Sequence, residues 1–245
     1  MKIKYLIPVV LFLFLGSICL AAGEESTTQI VQANIHYQNK EYQAAAKIYE
    51  HLIDEGYKNG HLYYNLGNTY FRLGQMGPAI LNYLKAKSLI PRDKDLDANL
   101  KTAYQETIDH LEAKQNDWLF WVEDFSRNEL IQFLIITNLL FWLAMTGRLF
   151  FNTGFFDFAR KTLLGLLILA TVTVGARYYL DTHSLTGVVL EKTVDVKSNP
   201  VSDTITLFQL HEGAVADILE KKDNWYKIEL PDDKRGWVRK EAIGT

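Results

Sequence analysis

Cysteine is almost missing from this chain: Cys19 is the one copy in 245 residues. If the N-terminal segment through Ala22 is removed as a leader, no disulfide framework and no thiol nucleophile remain. An excess of positive charge is missing too. The formal net charge is -3, and loss of Lys2 and Lys4 with the leader takes 26 basic residues to 24 against 29 acidic, or -5, so nothing points to nucleic acid. Catalytic signatures are absent on inspection, with no G-x-S-x-G, H-E-x-x-H, phosphate loop or dinucleotide fingerprint. The six histidines are scattered. His36 reads as a helix residue and His211 as a turn residue, while Asp232-Asp233 beside Lys234-Arg235 reads as a solvated hairpin tip. No catalytic residue, metal ligand or cofactor is expected, and the soluble parts are too small to hide a large enzyme core.

What is present begins with Tyr63-Tyr64-Asn65-Leu66-Gly67-Asn68-Thr69-Tyr70, followed by Ala79, Tyr83, Ala86 and Pro91. These residues fill the slots of a tetratricopeptide repeat and resemble that family. Tyr63, Leu66, Gly67 and Tyr70 line a first helix, and Ala79, Tyr83 and Ala86 face them from a second. Gly67 and Ala79 permit close approach of the two backbones, and Pro91 cannot continue the second helix.

One such repeat cannot bury its own face, so neighbours at a period of about 34 residues are expected. Moving back by that period sets Ala45 on Ala79, Tyr49 on Tyr83 and Leu52 on Ala86. This copy is poorer, with Gln29 and Gln32 in the first two slots and Tyr57 where proline would stand. Moving forward sets Leu100 on Leu66 and Tyr104 on Tyr70, with Asp93 as a plausible N-cap and a charged outer face to close the array against water. The expectation is two full repeats and a capping helix over 23–116.

The repeat is a binding scaffold, and its inner groove is the candidate site. Helix positions that point away from the packed slots are Ile30, Asn34, Tyr37 and Gln38 in the first repeat and Tyr64, Asn68, Phe71 and Arg72 in the second. Asn34 and Asn68 are equivalent. A carboxamide can donate to a peptide carbonyl and accept from its N–H, while Tyr37 and Phe71 bury side chains of an extended partner. Paired replacement of the two asparagines by alanine is expected to abolish capture without changing the melting temperature. The pair resembles the asparagine part of the carboxylate clamp of other tetratricopeptide proteins, although Ile30 and Tyr64 stand where clamp lysines would be.

Two other segments point to a membrane. Lys2 and Lys4, the apolar run from Leu6 to Leu15, and the small residues before Gly23 read as a signal peptide over 1–22. A lipoprotein reading would acylate Cys19, but Ile18 is bulky where that signal needs a small residue. Further on, the runs Leu130 to Thr146 and Thr162 to Ala176 carry no charge. A span needs about 20 residues, so the flanks must take part. Trp118, Phe120, Trp121, Phe150, Phe151, Phe155, Phe156, Tyr178 and Tyr179 suit aromatic belts, and Arg177 can snorkel. The expected order is an interfacial segment 117–129, a first transmembrane helix 130–147, a cytoplasmic loop 148–161 and a second transmembrane helix 162–180. Arg148, Arg160 and Lys161 keep the loop inside, which sets both soluble domains on the periplasmic side of a bacterial inner membrane.

After a polar linker at 181–184 the chain turns to short β-branched runs separated by turn residues, which implies a small all-β barrel over 185–245. Val194 to Ser198, Leu210 to Gly213, Asn224 to Ile228 and Gly236-Trp237-Val238 resemble the bacterial SH3-like domain. Trp225, Tyr226 and Trp237 are its candidate ligand surface, although a core role is expected for at least one of the tryptophans.

The order of signal, paired repeats, two spans and SH3-like barrel resembles the BatE family of the bacterial Bat aerotolerance group. That resemblance implies an envelope complex with other Bat membrane proteins bearing von Willebrand factor A domains, an associated MoxR-type ATPase, and tolerance of oxygen or envelope stress. The leading expectation is a membrane-anchored assembly protein whose repeats hold a protein partner. The alternative is a cell-wall binding protein whose barrel recognises peptidoglycan.

Overall fold

The structure, a computed structural model, describes residues 27–113, 120–151, 153–183 and 185–245. The expected leader and the belt residue Trp118 lie outside them. The N-terminal domain is a stack of antiparallel helices: α1 (27–38), α2 (Tyr42–Asp54), α3 (Gly60–Arg72), α4 (Met76–Leu89) and α5 (Lys94–Gln105). Asn59 caps α3 by accepting from the His61 N–H at 2.8 Å. Asp93 caps α5, accepting from the N–H groups of Asp95 and Leu96 at 3.0 Å each.

Packing follows the two-slot pattern. Ala45, Tyr49, Leu52, Leu62 and Leu66 form the core of the first repeat, and Tyr63, Ala79, Tyr83, Ala86, Leu100 and Tyr104 belong to the core of the second. Gly67 is required by that contact, since a Cβ there would sit 2.6 Å from the Tyr83 ring. The turn between paired helices needs a left-handed residue. Gly74 supplies it in the second repeat with φ 73°, and its equivalent in the first repeat is Lys40, with φ 64°. A side chain in that region is strained, a cost the second repeat avoids at this turn.

The apolar runs form a helical hairpin. After a single turn α6 (Phe120–Glu123), α7 spans Arg127–Phe150 and α8 spans Gly154–His183. A capping box starts α7, with Ser126 and Glu129 exchanging backbone and side-chain bonds. The helices run antiparallel, tied by Arg127 to Asp181 at 2.7 Å at one end and Arg148 to Asp157 at 3.0 Å at the other. Thr137, Ala144, Ala170 and Thr173 are buried, whereas Leu143, Ile168 and Val172 are more than half exposed. A soluble core helix hides such faces. Here the apolar stretches are 22 and 29 residues long, and within the 18-residue apolar window of each only 17% and 22% is buried, so both are candidate membrane helices. Phe150, Phe151 and Phe155 are exposed at one end of the hairpin and Tyr178 and Tyr179 near the other.

Two boundaries differ from the sequence reading. α7 runs on to Phe150 and α8 begins at Gly154, because the aromatic and charged first turns of α8, Gly154 to Lys161, continue its hydrogen-bond ladder outward from the apolar run. The linker expected at 181–184 is in fact largely the last turn of α8, held there because Asp181 pairs with both Arg127 and Arg177.

The C-terminal domain contains β1 (Leu185–Val189), β2 (Thr193–Lys197), β3 (Thr206–His211), β4 (Val215–Lys222), β5 (Trp225–Glu229), β6 (Arg235–Arg239) and β7 (Ile243–Gly244). They form one antiparallel sheet of order β3-β2-β6-β5-β4-β1-β7, with a 3-10 turn at Lys240–Ala242 before the last strand. Val196, Ile228 and Val238 are fully buried between its faces.

The barrel is docked on the helices. Val188 and Val215 enter the core of the second repeat. Gly213, with φ 86°, lets the β3–β4 turn press on the solenoid, and a Cβ there would lie 2.5 Å from Thr107 Cγ2. Polar contacts finish the seam. Glu212 Oε1 accepts from the Gly77 N–H at 3.0 Å and so caps α4, whose own N-cap Gln75 makes no side-chain bond. The Asp109 carboxylate accepts from the His211 N–H at 2.7 Å and lies 3.0 Å from His211 Nδ1.

Candidate functional site: the inner groove of the helical repeats

Equivalent positions of successive first helices line up because the repeats stack with a fixed offset. Tyr37 and Phe71 form one such pair, and they share a cavity of about 290 Å³ with Tyr64, Asn68, Arg72, Tyr83, Asn99 and Thr102. Five of the eight residues expected in the groove are thereby brought together: Tyr37, Tyr64, Asn68, Phe71 and Arg72. The other three flank it. Ile30 packs on the core of the first repeat, Gln38 is exposed at the end of α1, and Asn34 is half-buried one repeat before Asn68.

The asparagines are bonded within the protein. Asn34 Oδ1 accepts from the Tyr49 hydroxyl at 2.5 Å and from Asn65 Nδ2 at 3.3 Å. One repeat on, Asn68 Oδ1 accepts from the Tyr83 hydroxyl at 2.7 Å and from Asn99 Nδ2 at 2.8 Å. Asn99 Nδ2 also donates to the Tyr64 hydroxyl at 2.9 Å. Both lone pairs of each Oδ1 are engaged, so Asn34 and Asn68 can offer a ligand N–H donors but not acceptors. The ladder argues against the expectation that their joint loss would leave melting unchanged, because four donors would lose their acceptor.

Asn99 and Thr102 of α5 were not among the expected residues. Asn99 lies one period after Asn65, so the signal was present: the capping helix repeats the polar position as well as the apolar ones.

Charge in the groove comes from Arg72, the one charged side chain lining the cavity. Its pKa is raised above the ordinary guanidinium value, chiefly by a hydrogen bond with Tyr37. Burial pushes the Tyr83 hydroxyl well above the usual phenol range, with the nearby Tyr64 adding to it, and burial pushes Tyr49 up to about 12. These phenols stay protonated at neutral pH. They act as hydrogen-bond donors and apolar walls, which suits recognition.

A second cavity, about 610 Å³, lies where α4, α5, α8 and the barrel meet, with Lys101, Tyr104, Arg177, Asp181 and Asp217 among its walls. Arg177 does not reach outward from the helix as expected. It is 9% exposed, with its Nε 3.2 Å from Asp181 Oδ1.

On the barrel, the three expected ligand residues have different surroundings. Tyr226 is 5% exposed and belongs to the barrel core, and Trp237 is 9% exposed with the Lys227 ammonium 6.0 Å from its ring centre. Trp225 is half-buried, with the Arg239 guanidinium 5.6 Å from its ring centre, and it offers the most accessible ring of the three.

Comparison with known proteins agrees with this division. No curated protein matches the chain. Residues 60–93 match the tetratricopeptide repeat family, and residues 192–243 match the bacterial SH3 domain family. The chain thus joins a tetratricopeptide repeat and a bacterial SH3 domain on either side of two candidate membrane helices.

Proposed function

We propose that this chain is a membrane-anchored, non-catalytic scaffold that holds an extended segment of a protein partner in the groove of its repeats. The observation that carries the reading is the cavity between Tyr37, Phe71 and Arg72, floored by the Asn68 and Asn99 ladder. Docking of the barrel on α4 covers the outer side of the second repeat and leaves this inner side open. A partner backbone receives N–H donors from the asparagines, places apolar side chains on Tyr37 and Phe71, and sets an acidic group against Arg72. Replacing Tyr37 and Phe71 together by alanine abolishes capture of the partner by the full-length protein in membranes, and undiminished capture by that folded variant sinks the reading.

The partner class follows from the resemblance to the BatE family: a Bat membrane protein with a von Willebrand factor A domain, acting with a MoxR-type ATPase in aerotolerance or envelope stress. Both soluble domains belong to the same end of the hairpin, where Arg127 meets Asp181. With Arg148, Arg160 and Lys161 at the other end, the positive-inside tendency puts the soluble domains in the periplasm. Alkaline phosphatase fused after Thr245 is then active and fused at Thr153 inactive, and the reverse pattern contradicts the orientation.

The second reading, peptidoglycan binding by the barrel, is favoured by Trp225 under Arg239, an accessible ring with a cation beside it. Retention of the full-length protein on purified cell wall that Trp225→Ala removes is the result that supports it.

A further inference from the structure

Asn138 stands near the midpoint of α7, eleven residues after Arg127 and twelve before Phe150. Its side chain is exposed on the outside of the helical hairpin, and among the described residues its carboxamide has no hydrogen-bond partner. Three threonines of the hairpin differ. Thr146, Thr171 and Thr173 each donate to the carbonyl four residues earlier, at 2.8 to 2.9 Å. A carboxamide facing hydrocarbon at mid-depth has no water to bond, and a polar group on another helix at the same depth can satisfy its donors and its acceptor together.

The stripe around Asn138 is laid out for such a helix. Leu130, Thr137 and Ala144, seven residues apart, are buried on the side toward α8. Ile131, Ile135, Asn138 and Trp142 follow a spacing of four, three and four on a different face, where the apolar members are 38%, 53% and 59% exposed. That spacing is the seam of a left-handed helix pair.

We propose that α7 pairs in parallel with α7 of a second copy of this chain, through reciprocal hydrogen bonds between the two Asn138 carboxamides. The proposal rests on the reading of α7 as a membrane span. All copies insert in the same orientation, so like residues of two α7 helices meet at like depth. A carboxamide carries both donors and an acceptor, and two of them about a two-fold axis satisfy each other. Ile131, Ile135 and Trp142 bring no charge to the seam. A second copy therefore always has the required polar group at the required level. The pair would also present two grooves on one side of the membrane, so a partner with two segments is held more tightly than by either groove alone.

The test uses the full-length chain in its own membranes, in a Cys19→Ala background that removes the one native cysteine. Single cysteines are placed by Ile131→Cys and Ile135→Cys on the seam and by Leu143→Cys about 140° around the helix from Asn138. Mild oxidation is expected to give a disulfide dimer of twice the chain mass from the first two and not from the third. Adding Asn138→Leu reduces the seam dimers by about fivefold or more, and Asn138→Gln retains most of them. Absence of dimers at Ile131 and Ile135, dimers indifferent to Asn138→Leu, or adducts with the mass of another protein overturn the pairing. Alkaline carbonate extraction reads the membrane span separately: release of the chain overturns the proposal by removing its bilayer, whereas retention without seam dimers overturns the pairing alone.

Discussion

The hydroxyl of Tyr83 donates to Oδ1 of Asn68 at 2.7 Å, and one repeat earlier the hydroxyl of Tyr49 makes the same bond to Asn34 at 2.5 Å. Each bond joins the second helix of a repeat to its first, and the same oxygen then accepts from the next repeat. The groove floor and the solenoid core are thus one hydrogen-bonded unit.

Asn68→Ala removes the acceptor of both Tyr83 and Asn99 and is expected to cost about 1–3 kcal/mol, the penalty of leaving buried donors unmade. The melting temperature of the full-length protein should fall. An unchanged melting curve would mean that water replaces the ladder without loss.

Lys40→Gly acts in the opposite direction. It relieves a left-handed side chain at φ 64° in a turn where the second repeat already uses Gly74. Relief of about 1–2 kcal/mol of strain is partly offset by the entropy of glycine in the unfolded chain, about 0.5–1 kcal/mol, so a small rise in melting temperature is expected. A fall would show that Lys40 makes a compensating contact.

Alkaline stability follows from the buried phenols. Burial raises Tyr49 from 10.0 to about 12, and Tyr70, Tyr83 and Tyr104 are also raised. In that window the unfolded chain loses protons that the folded chain keeps, so stability is full below pH 10 and declines as pH rises through 12. Denaturant midpoints should be flat between about pH 7 and 9 with respect to these groups and fall above 10, less steeply in Tyr49→Phe. Equal slopes in parent and variant would remove Tyr49 as a cause.

Glu212→Ala deletes a helix cap supplied from 135 residues away. A loss of about 0.5–2 kcal/mol is expected, with faster hydrogen exchange at the first amides of α4 and along β1. Unchanged exchange at Gly77 would show that the barrel does not hold the solenoid through this contact.

How much of this was legible in the sequence depends on whether the signal was local. Tyr63, Gly67, Tyr83 and Pro91 mark helix contacts that recur at a fixed period, and Asp93 announces its own cap, so the repeat could be drawn from the residues. The groove was readable for the same reason, because Tyr37 and Phe71 are equivalent positions. Glu212 was not readable as a cap for α4, since nothing near Gly77 refers to a β-turn in another domain. Val188 and Val215 look like ordinary strand residues until docking turns them toward the helices. Asp181 reads as a linker residue because its two arginine partners lie on different helices, one of them far away in sequence.

The most direct test of the scaffold reading is photo-cross-linking in intact membranes, with a benzophenone amino acid placed at Phe71 in the groove and, as a control, at the exposed Lys47 of α2. The account predicts a specific protein adduct from Phe71 and none from Lys47, identified by mass spectrometry as a membrane protein with a von Willebrand factor A domain. Absence of any protein adduct at Phe71, with cell-wall fragments captured instead by the same probe at Trp225, would contradict it.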